Sequence, residues 1–308
     1  MEIRQLRTFQ TVARFLSFNR AAKELNYAQS SISAQIQALE EELAVQLFDR
    51  LGRSILLTEA GVRLLQYAEK ILDLTDEAPS GVIGAKELRG SLTIKVPETV
   101  GVHRLPPVIS RFRSRYPKVR LRFVSCSHEG LHKDLRKGIT DLAFLLTDSI
   151  QAADLESEIL GIEPLVMVSH PKHRLTKQRE IQARDLEGET IPFSTVDCSY
   201  RRSLESILKG ESIRYDVALE FNSVEALKSC IMSGGGITIL PEITVAEDIS
   251  RGVLAALPWA GEQLEVATLM IWYKERWVSP TLTAFMETAR EVLHEGYGDA
   301  ARITPPLS

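Results

Sequence analysis

Between Gln29 and Gln37 the chain sets short, uncharged, hydrogen-bonding side chains at close intervals: Gln29, Ser30, Ser31, Ser33, Gln35 and Gln37, with the small Ala34 among them. Interleaved with them are Ile32, Ile36, Leu39 and Leu43, spaced four, three and four, which is the apolar stripe of an amphipathic helix. One side of such a helix buries itself, and the other offers amides and hydroxyls that both donate and accept. That chemistry suits a fixed array of donors and acceptors, such as base-pair edges in a major groove, better than a reaction centre. A merely solvated polar face is the bland alternative.

Catalytic readings have little support. No nucleotide-binding glycine pattern, no H-E-x-x-H zinc site and no convincing G-x-S-x-G elbow is expected. Gly234-Gly235-Gly236 precedes a strand candidate instead of following one, so it is not a phosphate loop. His170 and His173 flank Pro171 in a turn context, and two such ligands do not make a zinc site. Cys126, Cys198 and Cys230 are widely spaced and odd in number, which indicates neither a disulfide framework nor a metal site; they read as buried thiols, with a redox pair as the alternative. The chain is expected to have no catalytic residue, no metal and no cofactor.

The elements that must position the polar helix can be read around it. Leu6, Phe9, Val12 and Ala13 stripe a helix from Ile3 to Phe15. Ser17 reads as the N-cap of a second helix carrying Phe18, Ala21, Ala22 and Leu25. Asn26 and Tyr27 break the pattern, and the third helix runs from about Gln29 to Leu43. Three short helices with a tight turn before the third form a helix-turn-helix. Two apolar runs then flank Leu51-Gly52-Arg53 and read as a hairpin, a wing beside the helices. Arg53 sits at its tip, within reach of a minor groove, and Arg50 can neutralise a backbone phosphate. Arg4, Ser17 and Arg20 complete the candidate DNA contacts.

Charge limits what this head can do alone. Residues 1–38 hold five basic side chains against two acidic ones, and Glu40-Glu41-Glu42 then reverses the sign. The whole chain has 308 residues and a net charge of −4. So weak a basic footprint calls for an oligomer that sums several of them. The length suggests two or three domains. No apolar run reaches the roughly 18 residues of a membrane span, and the N-terminus lacks the apolar core of a signal peptide, so a cytoplasmic location is expected.

These residues resemble the LysR-type transcriptional regulators. The matching blocks are Arg4-Gln5-Leu6-Arg7-x-Phe9, Ser17-Phe18-Asn19-Arg20-Ala21-Ala22-Lys23-x-Leu25 and Gln29-Ser30-Ser31-Ile32-Ser33-x-Gln35-Ile36. Leu39-Glu40-Glu41-Glu42-Leu43, Leu47-Phe48-Asp49-Arg50 and Leu57-Thr58-Glu59-Ala60-Gly61 continue the run. Relatives often carry Ser or Thr at the position of Ala28, Pro at Ser30 and Arg at Ala34. The missing Arg implies an unusual operator preference, and the missing cap hydroxyl costs roughly 1 kcal/mol of helix stability.

From Thr58 to Leu88 the chain reads as one long helix with Thr58 as N-cap. Leu65 and Leu72 lie seven apart, Ala68 and Thr75 interleave with them, and Leu64 and Ile71 flank them. That is a seam for pairing two subunits, or else packing within one chain. Pro79-Ser80-Gly81 predicts a kink or break.

The remainder alternates strand and helix. Strands are expected at Ser91–Val96, Val119–Ser125, Leu142–Leu146, Leu165–Val168, Thr190–Phe193, Val217–Phe221, Ile237–Leu240 and Val266–Tyr273. The intervening helices imply a mostly parallel, doubly wound sheet. His170-Pro171-x-His173-Arg174-Leu175, Asp185-Leu186-Glu187-Gly188 and Ser223-Val224-Glu225-Ala226-Leu227 resemble the effector domain of the same family, whose fold is similar to type 2 periplasmic binding proteins. The fold class is therefore α plus α/β: a winged helix-turn-helix over 1–58, a linker and dimerisation helix over 59–89, and a two-lobed α/β effector domain over 90–308. Lobe I takes about 90–161 and 267–296, and lobe II about 162–266.

Ligands of such sheets sit at strand C-termini and helix N-termini. That rule selects Thr99, Val100, Ser125, Ser127, Thr147, Ser194, Tyr200, Arg201, Asn222 and Ser223 as effector contacts. Hydroxyls and helix starts suit a small polar anion such as a carboxylate, with Arg201 or Arg202 neutralising it. Glu98 fits an anion site poorly and favours an uncharged or amine-bearing effector. The expected partners are partly palindromic promoter DNA, RNA polymerase and further copies of the chain, a homodimer assembling into a homotetramer that bends the DNA.

Overall fold

The computed structural model describes residues 1–51, 54–83, 88–126, 130–147, 152–195, 199–216, 219–261, 263–275 and 277–297. Two compact units emerge, one of Met1–Ser91 with Lys118–Arg120, the other of Leu92–Pro117 with Leu121–Ser308.

The first unit begins with α1 (Ile3–Phe15), α2 (Phe18–Leu25) and α3 (Gln29–Leu43). The hairpin β1 (Phe48–Leu51) and β2 (Ser54–Leu57) follows, then the helix α4 (Glu59–Ile83). Leu6, Phe9, Val12, Phe18, Ala21, Ile32, Ile36 and Leu39 meet in one core with Leu47 and Phe48 of the hairpin. The Phe48 ring lies 5.4 Å from Phe9 and 5.9 Å from Phe18, so the wing is packed into the head by aromatic contact. Glu40 leaves the acidic run: its buried carboxylate accepts from the backbone N–H groups of Leu47 and Phe48 at 2.7 and 3.3 Å. The hairpin is antiparallel, with Phe48 opposite Leu57 and Leu51 opposite Ser54.

Ser17 caps α2 by accepting from the Arg20 N–H at 3.3 Å. Ala28 stands at the N-cap of α3 in extended backbone and has no side-chain acceptor to offer. Ala28→Ser is therefore expected to raise head stability by about 1 kcal/mol, read from the denaturant midpoint at unchanged slope. No gain would mean that water already satisfies these N–H groups as well as a hydroxyl does.

The α4 helix differs from expectation in two ways. Ala68 and Leu72 are buried in the core of their own head, with Leu64, Leu65 and Ile71 packed against it, so the seven-residue stripe serves the chain itself. Among the described residues, the large apolar side chains that α4 leaves exposed are Val62, Tyr67 and Leu74. The helix also runs through Pro79 as one element. A proline removes a single ladder hydrogen bond, and the turns on either side hold the helix across that gap.

The remaining elements are β3 (Gly90–Val96), α5 (Glu98–His103), α6 (Leu105–Arg115), β4 (Val119–Ser125), α7 (Leu131–Arg136) and β5 (Leu142–Leu146). The long β6 (Leu155–Ser169), β7 (Phe193–Ser194), α8 (Ser199–Gly210), β8 (Glu220–Phe221) and α9 (Val224–Met232) come next. Then follow β9 (Ile237–Pro241), α10 (Glu242–Ser250), β10 (Ala255–Ala256), β11 (Glu265–Tyr273) and α11 (Pro280–Tyr297). The sheet order is β10-β6-β11-β5-β3-β4, with β9 also on β6.

This sheet is mixed, not mostly parallel. β3 and β5 pair in parallel, but β11 is antiparallel to both β5 and β6, and β9 and β10 are antiparallel to β6. The cause is the crossing between lobes. The 15 residues of β6 pair with β11 up to Pro164 and with β9 from Leu165 onward, so one strand serves both lobes. The strands expected at Thr190–Phe193 and Val217–Phe221 contract to the two-residue parallel pair β7 and β8 and a single bridge between Thr190 and Asp216; Val217 lies outside the described residues.

Candidate nucleic-acid interface and effector cleft

In the head, the N-terminal half of α3 presents Gln29, Ser30, Ala34 and Gln37 to solvent, with Ser33 half-buried between them. The Gln29 amide donates to the Ser33 hydroxyl at 2.9 Å, and Gln37 donates to Glu41 at 2.8 Å. These bonds orient the amides along the surface and break easily in favour of another partner. Ser31 and Gln35 do otherwise. Gln35 accepts from the Thr8 hydroxyl at 2.9 Å and so ties α3 to α1, and it donates to Ser31 at 3.4 Å within α3.

The flank of α3 is concave. Asn19, Ala22, Lys23, Asn26, Tyr27 and Gln29 line an open depression of about 540 Å³, where the start of α2 meets the turn before α3. Arg20 is exposed, its guanidinium 4.9 Å from the centre of the Phe15 ring, and Arg14 lies 4.5 Å from the same ring. Stacking of this kind pre-orders an arginine for a phosphate. Arg14 is paired with Glu24 at 2.8 Å, and Arg4 is exposed, 3.6 Å from Glu2.

In the two-lobed unit, Glu98 at the start of α5 (Glu98–His103) reaches the start of α9 (Val224–Met232). Its carboxylate accepts from the Val224 N–H at 3.0 Å and from the Ser223 hydroxyl at 3.3 Å, at the start of α9. Ser194 is fully buried, Thr99 and Thr147 are buried, Ser223 is half-buried, and Ser125 and Asn222 are exposed. Val100 and Tyr200 are core residues at 0% and 1% exposure and can form only the wall behind the cleft. Arg201 is already committed: its guanidinium pairs with Glu205 at 2.9 Å and Glu220 at 2.6 Å and lies over the Phe193 ring. Those two carboxylates hold its pKa up against the cost of its own burial. The expectation that Arg201 waits for an anion fails for that reason.

Where the strands cross between lobes, Glu163 is completely buried. Arg104 grips it with two nitrogens at 2.6 and 2.8 Å, and the Tyr297 hydroxyl donates to it at 2.7 Å. The Thr268 hydroxyl meets Tyr297 at 2.7 Å, and the Arg104 guanidinium stacks 4.1 Å above the tyrosine ring. Burial and the Glu163 carboxylate push the Tyr297 phenol well above its ordinary range. Neighbouring His103 is held below its usual range by burial and by Lys228.

The sequence matches two family models: the bacterial regulatory helix-turn-helix protein of the LysR family over residues 3–62, and the LysR substrate binding domain over residues 85–294. The chain belongs to the LysR family. It is thus a DNA-binding transcriptional regulator with a C-terminal effector-binding domain, and not an enzyme. The chain is 39% identical over 292 residues to the uncharacterized HTH-type transcriptional regulator YwqM of Bacillus subtilis, covering 94% of this chain and 99% of that one. It is 31% identical to the transcriptional regulator GltR of the same organism, with 94% and 97% covered. Among solved structures, full-length BenM superposes with a TM-score of 0.58 at 25% identity, covering all of both chains. The LysR-family regulator CbnR superposes at 0.68 over 95% of this chain and 99% of that one; at 24% identity it speaks for the fold alone.

Against the LysR frame, the candidate residues divide. Gln29, Ser30, Ser33 and Gln37 share one face, and Arg20 lies on a neighbouring helix. Ser17 is a helix cap, and Ser31 and Gln35 bond within the head. Arg50 pairs with Ile55 in the hairpin, while Arg53 and Ser127 lie outside the described residues. Lys23 and Tyr27 line the depression beside α3 but were not among the sequence candidates; Lys23 stands one helical turn from Asn19 and Asn26, a spacing that could have marked it. His128-Glu129-Gly130-Leu131-His132 carries the letters of a metalloprotease helix, which sequence reading overlooked. His128 and Glu129 lie outside the described residues; α7 spans Leu131–Arg136 after Gly130 at φ 75°, and His132 is bonded to Asp154 at 2.7 Å. Among the described residues, no group of three His, Cys, Asp or Glu side chains is placed to hold a metal, and no helix is long and apolar enough to cross a membrane.

Proposed function

We propose that two chains pair along α4 and set their α3 helices into successive major grooves of a partly palindromic promoter site. Each polar α3 face reads base edges while Arg4, Arg20, Lys23, Arg50 and Arg53 meet phosphates. The observation that carries this reading is the exposed face of Gln29, Ser30, Ser33 and Gln37, set beside a packed wing. Pairing along α4 is supported by Val62, Tyr67 and Leu74, large apolar side chains left exposed on one helix. Dimers then join into a tetramer that bends the DNA and presents a surface to RNA polymerase.

The regulating molecule is a small polar effector bound between the lobes. Thr99, Ser125, Ser127, Thr147, Ser194, Asn222 and Ser223 supply hydrogen bonds, and Val100 and Tyr200 back the wall. Effector binding favours one lobe arrangement and so shifts the population of DNA-bound states.

A gel-shift titration with the chain's own promoter region tests the DNA half. A retarded band is expected at low salt. Gln29→Ala or Ser33→Ala is expected to cost about 1–3 kcal/mol on that fragment and little on scrambled DNA, whereas Arg20→Ala weakens both alike and lowers the salt slope by about one. No band at low salt ends the proposal.

A further inference from the structure

We propose that Glu98 is a built-in ligand of the effector cleft: its carboxylate fills the anion position at the start of α9, and an effector carboxylate acts by displacing it. This rests on the reading of the cleft as the effector site.

The contact joins residues 125 positions apart in sequence and belongs to neither lobe alone. Ser223 is the N-cap of α9 and accepts from the Ala226 N–H at 3.5 Å, so its own proton is free to go to Glu98. The Val224 N–H supplies the second bond. These are the groups a helix start offers to an anion, and the partial positive charge there favours a carboxylate above a neutral acceptor. Arg201, the cation the sequence offers for an anion, is held by Glu205 and Glu220. An incoming carboxylate therefore competes for a position that the chain already occupies.

A group that the fold already holds in place competes without the entropy cost of a bimolecular encounter, so its effective concentration lies far above that of a free anion. Glu98 accordingly sets a threshold. A bare small anion loses the exchange, and an effector wins only if the rest of the molecule makes further contacts in the cleft. The exchange is conservative at α9, where one carboxylate replaces another. It is not conservative for the lobes, because displacement removes a lobe-to-lobe bond and turns the half-exposed Glu98 toward water. Binding is thereby converted into a change in lobe arrangement without any rearrangement of the core. The same logic accounts for a glutamate in a cleft otherwise lined with hydroxyls: it is a competitor of the ligand and not its partner.

Hydrogen exchange of the full-length protein tests this without an identified effector. Glu98→Ala is expected to speed exchange at the start of α9 by about tenfold and to leave the head unchanged. Sodium acetate at roughly 0.1 M, small enough to enter the vacated space, then restores protection in the variant, while equal sodium chloride does not. Acetate leaves the wild type unchanged. Glu98→Gln keeps the size, loses the charge and falls between the two. Unchanged exchange in both variants overturns the tether. Faster exchange that acetate cannot restore overturns the displacement and reduces Glu98 to a structural cap. Failure of the cleft reading looks different: ligands found by thermal shift would still shift a cleft variant such as Asn222→Trp.

Discussion

Replacing Arg104 by methionine is expected to destabilise the two-lobed unit by about 3–5 kcal/mol, which lowers its melting temperature by roughly 6–20 °C. The size follows from what is left behind. Glu163 has no exposure at all, and removing the guanidinium strands its carboxylate with only the Tyr297 hydroxyl as a side-chain donor. An unpaired buried charge costs far more than the pair gained by forming. Methionine keeps most of the apolar stem over the Tyr297 ring, so the loss reports the charge and not the packing. Calorimetry of the full-length protein checks it, because the head and the two-lobed unit give separate transitions. The double variant Arg104→Met with Glu163→Leu is expected to recover most of the loss. A single variant that melts within 1 °C or so of the wild type, on the scale of a neutral surface change, would refute the account.

The second large effect is expected at Gly61. A side chain there would run into the backbone carbonyl of Leu47 and the side chain of Leu57. The Leu47 carbonyl cannot yield, since it accepts from the Thr58 N–H at 3.0 Å, and the Thr58 hydroxyl both donates to the Gln46 carbonyl at 2.8 Å and accepts from the Gly61 N–H at 2.9 Å. Gly61→Ala must therefore force the first turn of α4 away from the hairpin, at a cost of about 1–3 kcal/mol. Gly188→Ala is the control. It meets nothing but has φ +75°, so it isolates backbone strain from lack of space. The Gly61 variant is expected to lose the retarded DNA band while the melting of the two-lobed unit stays unchanged. Full DNA binding with an unshifted head transition would show that the junction is softer than its hydrogen bonds imply.

The head was legible because its signals are local. Ile32, Ile36 and Leu39 declare the buried side of α3 by spacing alone, and Ser17 declares a cap by type. What sequence could not supply was which polar residues on a half-buried flank turn inward: Gln35 looks like Gln37 until Thr8 is seen beside it. The α4 stripe was ambiguous for the same reason, since Ala68 and Leu72 suit a partner helix or the chain's own α1 equally well. In the two-lobed unit, strand positions were readable and strand direction was not. Antiparallel pairing of β11 with β5 and β6 depends on where the chain re-enters, and no local pattern encodes that. The commitment of Arg201 to Glu220 and the reach of Glu98 to Val224 join residues 19 and 126 positions apart, beyond any spacing rule.

The crossing strands carry one more consequence. Because β6 passes from one lobe to the other without a loop, still bonded to β11 as far as Pro164, the two lobes are coupled through a torsion bar and not a slack tether. Its compliance is greatest where the pairing slips at Thr268 and Leu269, since a bulge loosens the ladder and concentrates twist. Rotation of one lobe against the other is thus expected to pass through that point into β5, whose residues Leu142–Leu146 are wholly buried in the middle of the other lobe.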